Sequence, residues 1–172
     1  MKNKVVILAA GVIVLFGGIA QAKLVSFFAD ELSTWSDIGA VIAQEITTMA
    51  PTKVTMKADA DSTFIISSFS VNETGFTWSR YILTLEPVGA TFVPGSAGST
   101  KFQTVLYPDL HTLDFLAPVA VEPGQGVTFQ FNINVPDGPP YTYTLTHQPI
   151  PEPATFALLG LGSLALLAGR KR

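Results

Sequence analysis

The sequence has no cysteine, which removes disulfides, thiolate zinc sites, thioredoxin-like redox chemistry and cysteine nucleophiles. It has only two histidines, His111 and His147, and no G-x-S-x-G elbow, so the base that a serine or threonine nucleophile needs is scarce. Charge is scarce as well: 13% of the 172 residues are Asp, Glu, Lys or Arg, against 48% hydrophobic. That balance excludes intrinsic disorder, which requires low hydrophobicity and high net charge. Five of the ten basic residues, Lys2, Lys4, Arg170, Lys171 and Arg172, lie at the two ends. The middle, 23–148, keeps five basic residues against twelve acidic ones, a net charge of about −7. Nucleic acid is thereby excluded as a partner, because phosphate binding depends on clustered Lys and Arg.

The hydrophobic excess sits at the ends. Lys2 and Lys4 precede an uncharged run at 5–16 (VVILAAGVIVLF), then Gly17-Gly18 and Ala20-Gln21-Ala22. A positive start, an apolar stretch and a small-x-small site make residues 1–22 a secretory signal peptide, with cleavage expected after Ala22. An uncleaved anchor is the other reading, since 5–22 is uncharged and near the lower length limit of a spanning helix.

At the other end, Pro149-Ile150-Pro151-Glu152-Pro153 is expected to be a rigid, extended element unable to join a helix or a central strand. The uncharged run 154–169 (ATFALLGLGSLALLAG) follows, closed by Arg170-Lys171-Arg172. As a helix it would be about 24 Å long, about 6 Å short of a typical hydrocarbon core. Bilayer thinning and snorkelling of the basic tail cover such a deficit. Basic residues stay on the cytoplasmic side, which leaves the middle outside.

This order of Pro151-Glu152-Pro153, short apolar helix and terminal Arg170-Lys171-Arg172, in a chain opening with a signal peptide, resembles the PEP-CTERM sorting signal of Gram-negative bacteria. Ile150 stands where Val is more usual, and Gly169 with three basic residues stands where a longer Arg run is common. The resemblance implies export, a passing inner-membrane anchor with the domain periplasmic, and processing by an exosortase-type membrane protease. It further implies delivery to the cell surface or outside, in bacteria that make extracellular polysaccharide or biofilm. Domain organisation is thus expected to be a signal peptide at 1–22, an exported domain at 23–148 and a sorting signal at 149–172.

Within the middle, Trp35, Ile38, Val41, Ile42, Ile46 and Met49 recur at helical spacing before Pro51, which predicts one helix near 35–49. The β-branched residues there pull the other way. From Thr52 onward the pattern is β: at 127–135 (VTFQFNINV) odd positions are apolar and even ones polar, and Tyr141, Tyr143 and Leu145 repeat the rule. The turn chemistry of PDGPP at 136–140 predicts that these two runs pair as a hairpin. Further strands are expected at 24–28, 53–58, 64–71, 77–86, 102–107 and 112–116. About eight such strands predict an all-β, antiparallel β-sandwich. Its turn residues, among them Asn72, Pro87 and the EPGQ at 122–125, are similar to immunoglobulin-like repeats of bacterial surface proteins.

Candidate chemistry in the middle is sparse. His111 and His147 read as exposed loop imidazoles. Acids at Asp59, Asp61, Glu73, Glu86, Asp109, Asp114 and Glu122 read as solvated turn residues, without the D-x-[DN]-x-[DN]-G calcium loop. Neither a metal nor another cofactor is expected. Asn72-Glu73-Thr74 matches a glycosylation acceptor but reads as a turn. Phe76 and Trp78 are candidates for stacking on a sugar ring, against core packing on a strand buried on both faces. The expectation is a non-enzymatic surface or matrix protein. The alternative is a carbohydrate-binding module using surface aromatics.

Overall fold

Val127, Phe129, Phe131, Ile133 and Val135 are buried, while Thr128, Gln130, Asn132 and Asn134 face outward, so the period-2 pattern of the sequence becomes the two faces of a strand. The computed structural model describes residues 24–28, 34–36, 39–58, 62–86, 89–135 and 141–152. Among them there are twelve strands and no helix: β1 (Leu24–Phe28), β2 (Thr34–Ser36), β3 (Gly39–Ile46), β4 (Thr52–Ala58), β5 (Ser62–Asn72), β6 (Trp78–Glu86), β7 (Thr91–Phe92), β8 (Gly98–Ser99), β9 (Thr104–Asp109), β10 (Thr112–Val121), β11 (Gly126–Val135) and β12 (Tyr141–Pro151). The expected signal peptide with Ala20 and Ala22, Pro153, the apolar run 154–169 and Arg170, Lys171 and Arg172 lie outside the described residues.

Two six-stranded sheets pack as a sandwich. The first runs β1-β4-β12-β6-β10-β9; the second runs β2-β3-β5-β11-β7, with β8 also pairing with β11. Inward side chains of both sheets, among them Ile42, Met56, Phe64, Leu83, Phe115, Phe129, Phe131 and Tyr143, form one continuous core. Tyr81 and Phe129 touch at ring centroids 4.4 Å apart, and Phe115 meets Phe129 edge-on at 4.8 Å. Such rings add stabilisation beyond their buried area. Ile133 has no exposure, so Ile133→Val is expected to cost about 1 kcal/mol, read from the urea midpoint.

Three expectations are corrected. The residues expected to form a helix near 35–49 are β2 and β3. Ala40, Ile42, Gln44 and Ile46 are the buried positions, so the β-branched content decides and the apolar residues at helical spacing are a by-product. β3 also pairs parallel with β5, an exception among the described strands, which otherwise pair antiparallel. It lies so close that a Cβ at Gly39 would strike the Ile65 carbonyl. Finally, β11 and β12 are not a hairpin. β11 pairs with β5 in the second sheet, and β12 lies between β4 and β6 in the first. The turn-rich residues between them connect sheets instead of closing a two-stranded unit.

Trp78 and Tyr81 are both buried although they lie on opposite phases of a regular strand. A register shift explains it: Ile150 is opposite Arg80 and Pro151 opposite Trp78, so Ser79 is an extra residue on β6. The bulge turns Trp78 back to the core face that Tyr81, Leu83 and Leu85 occupy.

Candidate functional site

Strand β12 continues through Pro149 and Pro151. Its partner β4 is left behind at His147, opposite Thr52, while β6 follows as far as Pro151 opposite Trp78. The Glu152 N–H then donates to the Thr77 carbonyl at 3.1 Å. The prolines therefore do enter a strand lying centrally in its sheet, contrary to expectation. They do so where one flank has no neighbour among the described residues, which is where a residue without an N–H is tolerated. Pro149 is buried, and Pro151 and Glu152 are half-buried.

The end of the sandwich that holds these rungs is organised by Asn72. Its amide nitrogen donates to the Phe76 and Val121 carbonyls, both at 2.8 Å. Its Oδ1 accepts from the Thr74 N–H at 3.0 Å and from the Thr74 hydroxyl at 2.6 Å. The Trp78 indole N–H donates to the same hydroxyl at 3.1 Å. The backbone of Asn72 adds bonds to residues 124 and 125, and Glu73 N–H reaches the Ile46 carbonyl. Asn72 has no exposure, so its side chain is a structural knot and is closed to glycosylation in the folded protein. Thr77, the residue that receives Glu152, is held in turn by its hydroxyl donating to Glu122 Oε2 at 2.7 Å.

A second polar chain crosses the core. His147 Nδ1 lies 3.3 Å from the Tyr81 hydroxyl, which lies 3.3 Å from Ser70 Oγ. Gln44 Nε2 donates to Ser70 Oγ at 3.1 Å, and Thr52 Oγ1 donates to Gln44 Oε1 at 3.3 Å. The chain passes from the first sheet to the second and back, a buried link between them. Placing His147 here corrects the expected exposed loop. It continues the inward phase of Tyr143 and Leu145 and has no exposure. Desolvation alone pushes its pKa from 6.5 down to about 3, and Nε2 has no partner. Burial also pushes the Tyr81 and Tyr143 phenols up. The imidazole is neutral at ordinary pH and shut off from solutes.

The other candidates are scattered. His111 is half-buried in the β9–β10 turn, where its N–H donates to Asp109 Oδ1 at 2.7 Å. Thr112 donates to the other Asp109 oxygen at 3.3 Å. Asp114 is 5% exposed and pairs with Arg80 through two 2.7 Å bonds, which raise the Arg80 pKa. Glu86 meets Lys53 at 3.5 Å on the surface, Glu73 is exposed, and Asp59 and Asp61 lie outside the described residues. Trp78 offers no ring face to a sugar because it has no exposure, and Phe76 is half-buried. Sequence reasoning missed His147, Tyr81, Ser70 and Gln44 as a set. The inward phase of β12 was the available signal for the first of them.

Residues 149–172 match the family described as the PEP-CTERM protein-sorting motif. The match covers the last rungs of β12, Glu152 and the residues after them. It implies an exported protein that passes through a membrane-anchored intermediate to the cell surface and is processed by an exosortase membrane protein. No curated protein and no solved structure matches the chain.

Proposed function

We propose that the protein is a non-enzymatic component of the cell surface or extracellular matrix, released from its membrane anchor by cleavage at or near 151–153 and associated with extracellular polysaccharide or biofilm. The observation that carries this reading is the sorting motif at 149–172, set directly at the end of a sandwich. The commitments of the middle domain support the absence of chemistry. Asp109 holds a turn, Asp114 holds Arg80, Glu122 holds Thr77, and the buried His147 is a link between sheets. The intact mass of the surface-released protein tests the reading. The wild-type chain is expected to begin at Lys23 and to lack 154–172. Glu152→Ala is expected to stay membrane-held with its tail. A released wild-type species still carrying the tail would overturn the processing step.

A further inference from the structure

A protease takes its substrate as an extended segment laid along its own cleft, with the backbone of the scissile region free to be gripped. In this protein that region is not free. Ile150 is in register with Arg80, Pro151 is in register with Trp78, and Glu152 N–H is bonded to Thr77. A linker between the folded domain and the motif is therefore missing: the sheet runs into the motif.

The same rungs are built to come apart. From Thr144 to His147 the strand is paired on both sides, by β4 and β6; beyond His147 only β6 remains among the described residues. Of residues 149–152, the two prolines turn their nitrogens to the flank that β4 has left, so the segment is held on one side only, by its rungs to β6 at Ile150 and Glu152. Behind it, His147 is wholly buried and bonded to Tyr81, which gives the opening a natural stop.

We infer that residues 149–152 are a latch: they rest on β6 in the folded protein, and the processing enzyme receives the motif only when they peel away from Thr77, Trp78 and Arg80. This rests on the processing reading above. Thr77 is accordingly a positioning residue for cleavage, since its carbonyl holds Glu152 and its hydroxyl is fixed by Glu122. The rate of tail removal then follows the open fraction of the latch and the enzyme's own reach together.

The test is a cross-link in the full chain, expressed in an exosortase-bearing host. Arg80 and Ile150 face each other across an antiparallel pair, a Cα spacing that a disulfide spans. With no native cysteine, Arg80→Cys with Ile150→Cys has one pairing to make. The oxidised double variant is expected to lose its tail about tenfold or more slowly than the same variant kept reduced, in proportion to the lost open fraction. Both forms lack the Arg80–Asp114 pair, so their difference reads the lock alone, and the single variants read what each substitution does without it. A short Gly-Ser insert between Ile150 and Pro151 lifts the motif off β6 and is expected to speed processing. An oxidised variant processed at the rate of its own reduced form, or an insert without effect, would overturn the latch while leaving processing intact. A wild-type chain that never loses its tail would overturn the processing reading and the latch with it.

Discussion

Asn72→Asp is expected to destabilise the sandwich by about 4 kcal/mol, the size seen when a buried charge is left without a partner. The two side chains have the same shape, so packing is kept and only the chemistry changes. In the native protein the amide nitrogen donates to two carbonyls, those of Phe76 and Val121. A carboxylate there would set negative oxygen against both, with no exposure to water. Asn72→Ala removes the bonds without adding charge, and a smaller loss of about 3 kcal/mol is expected from the orphaned carbonyls and the Thr74 N–H. Urea unfolding followed by tryptophan fluorescence reads both, because Trp78 is bonded to the same Thr74 hydroxyl. A shift below about 1 kcal/mol for Asn72→Asp, the value of one ordinary hydrogen bond, would refute the knot.

Acid is expected to unfold the protein through His147. Its folded pKa of about 3 lies below the ordinary 6.5, so above pH 6.5 both folded and unfolded imidazoles are neutral and the group is silent. As pH falls, the unfolded chain takes a proton that the folded core refuses. Stability then drops by about 1.4 kcal/mol per pH unit, about 2 kcal/mol by pH 5, until the folded imidazole titrates near its own pKa. The groups linked to the imidazole, Tyr81 on β6, Ser70 on β5, Gln44 on β3 and Thr52 on β4, carry no charge to relieve the cost. Melting temperatures at neutral pH and at pH 5 for wild type and His147→Leu check it: the variant is expected to lose most of the dependence between those values. Equal slopes would show that other groups govern the acid limb.

The alternating strands were legible because one face of each is buried: the run at 127–135 could hold Phe129, Phe131 and Ile133 inward in a single register only. Partner choice was not legible in the same way. Turn chemistry at 136–140 suits a hairpin and a crossing between sheets equally, and only the packed core separates them. Trp78 looked ambiguous because a bulge is one residue long and leaves no composition behind. His147 could have been placed by counting two from Leu145. The prolines that follow pointed instead to a linker, since the rule against proline in a strand speaks of paired flanks and the sequence does not say which flank is bare. The sorting motif was the most legible feature, its three parts being contiguous. Its attachment to Thr77 lies 75 residues upstream in sequence and had no local signature.

The position of β12 also fixes an order of events during export. This strand is the last of the described strands yet lies inside its sheet, joining β1 and β4 on one side to β6, β10 and β9 on the other. A chain crossing a membrane N-terminus first therefore delivers the two halves of that sheet before the piece that unites them. Until residues 141–151 emerge, β4 and β6 each present a long unpaired flank, and the polar link through Tyr81 lacks its imidazole. With those flanks open the sheet is exposed to mispairing. Because β12 and the sorting motif share residues 149–151, the strand that unites the sheet and the start of the motif arrive together.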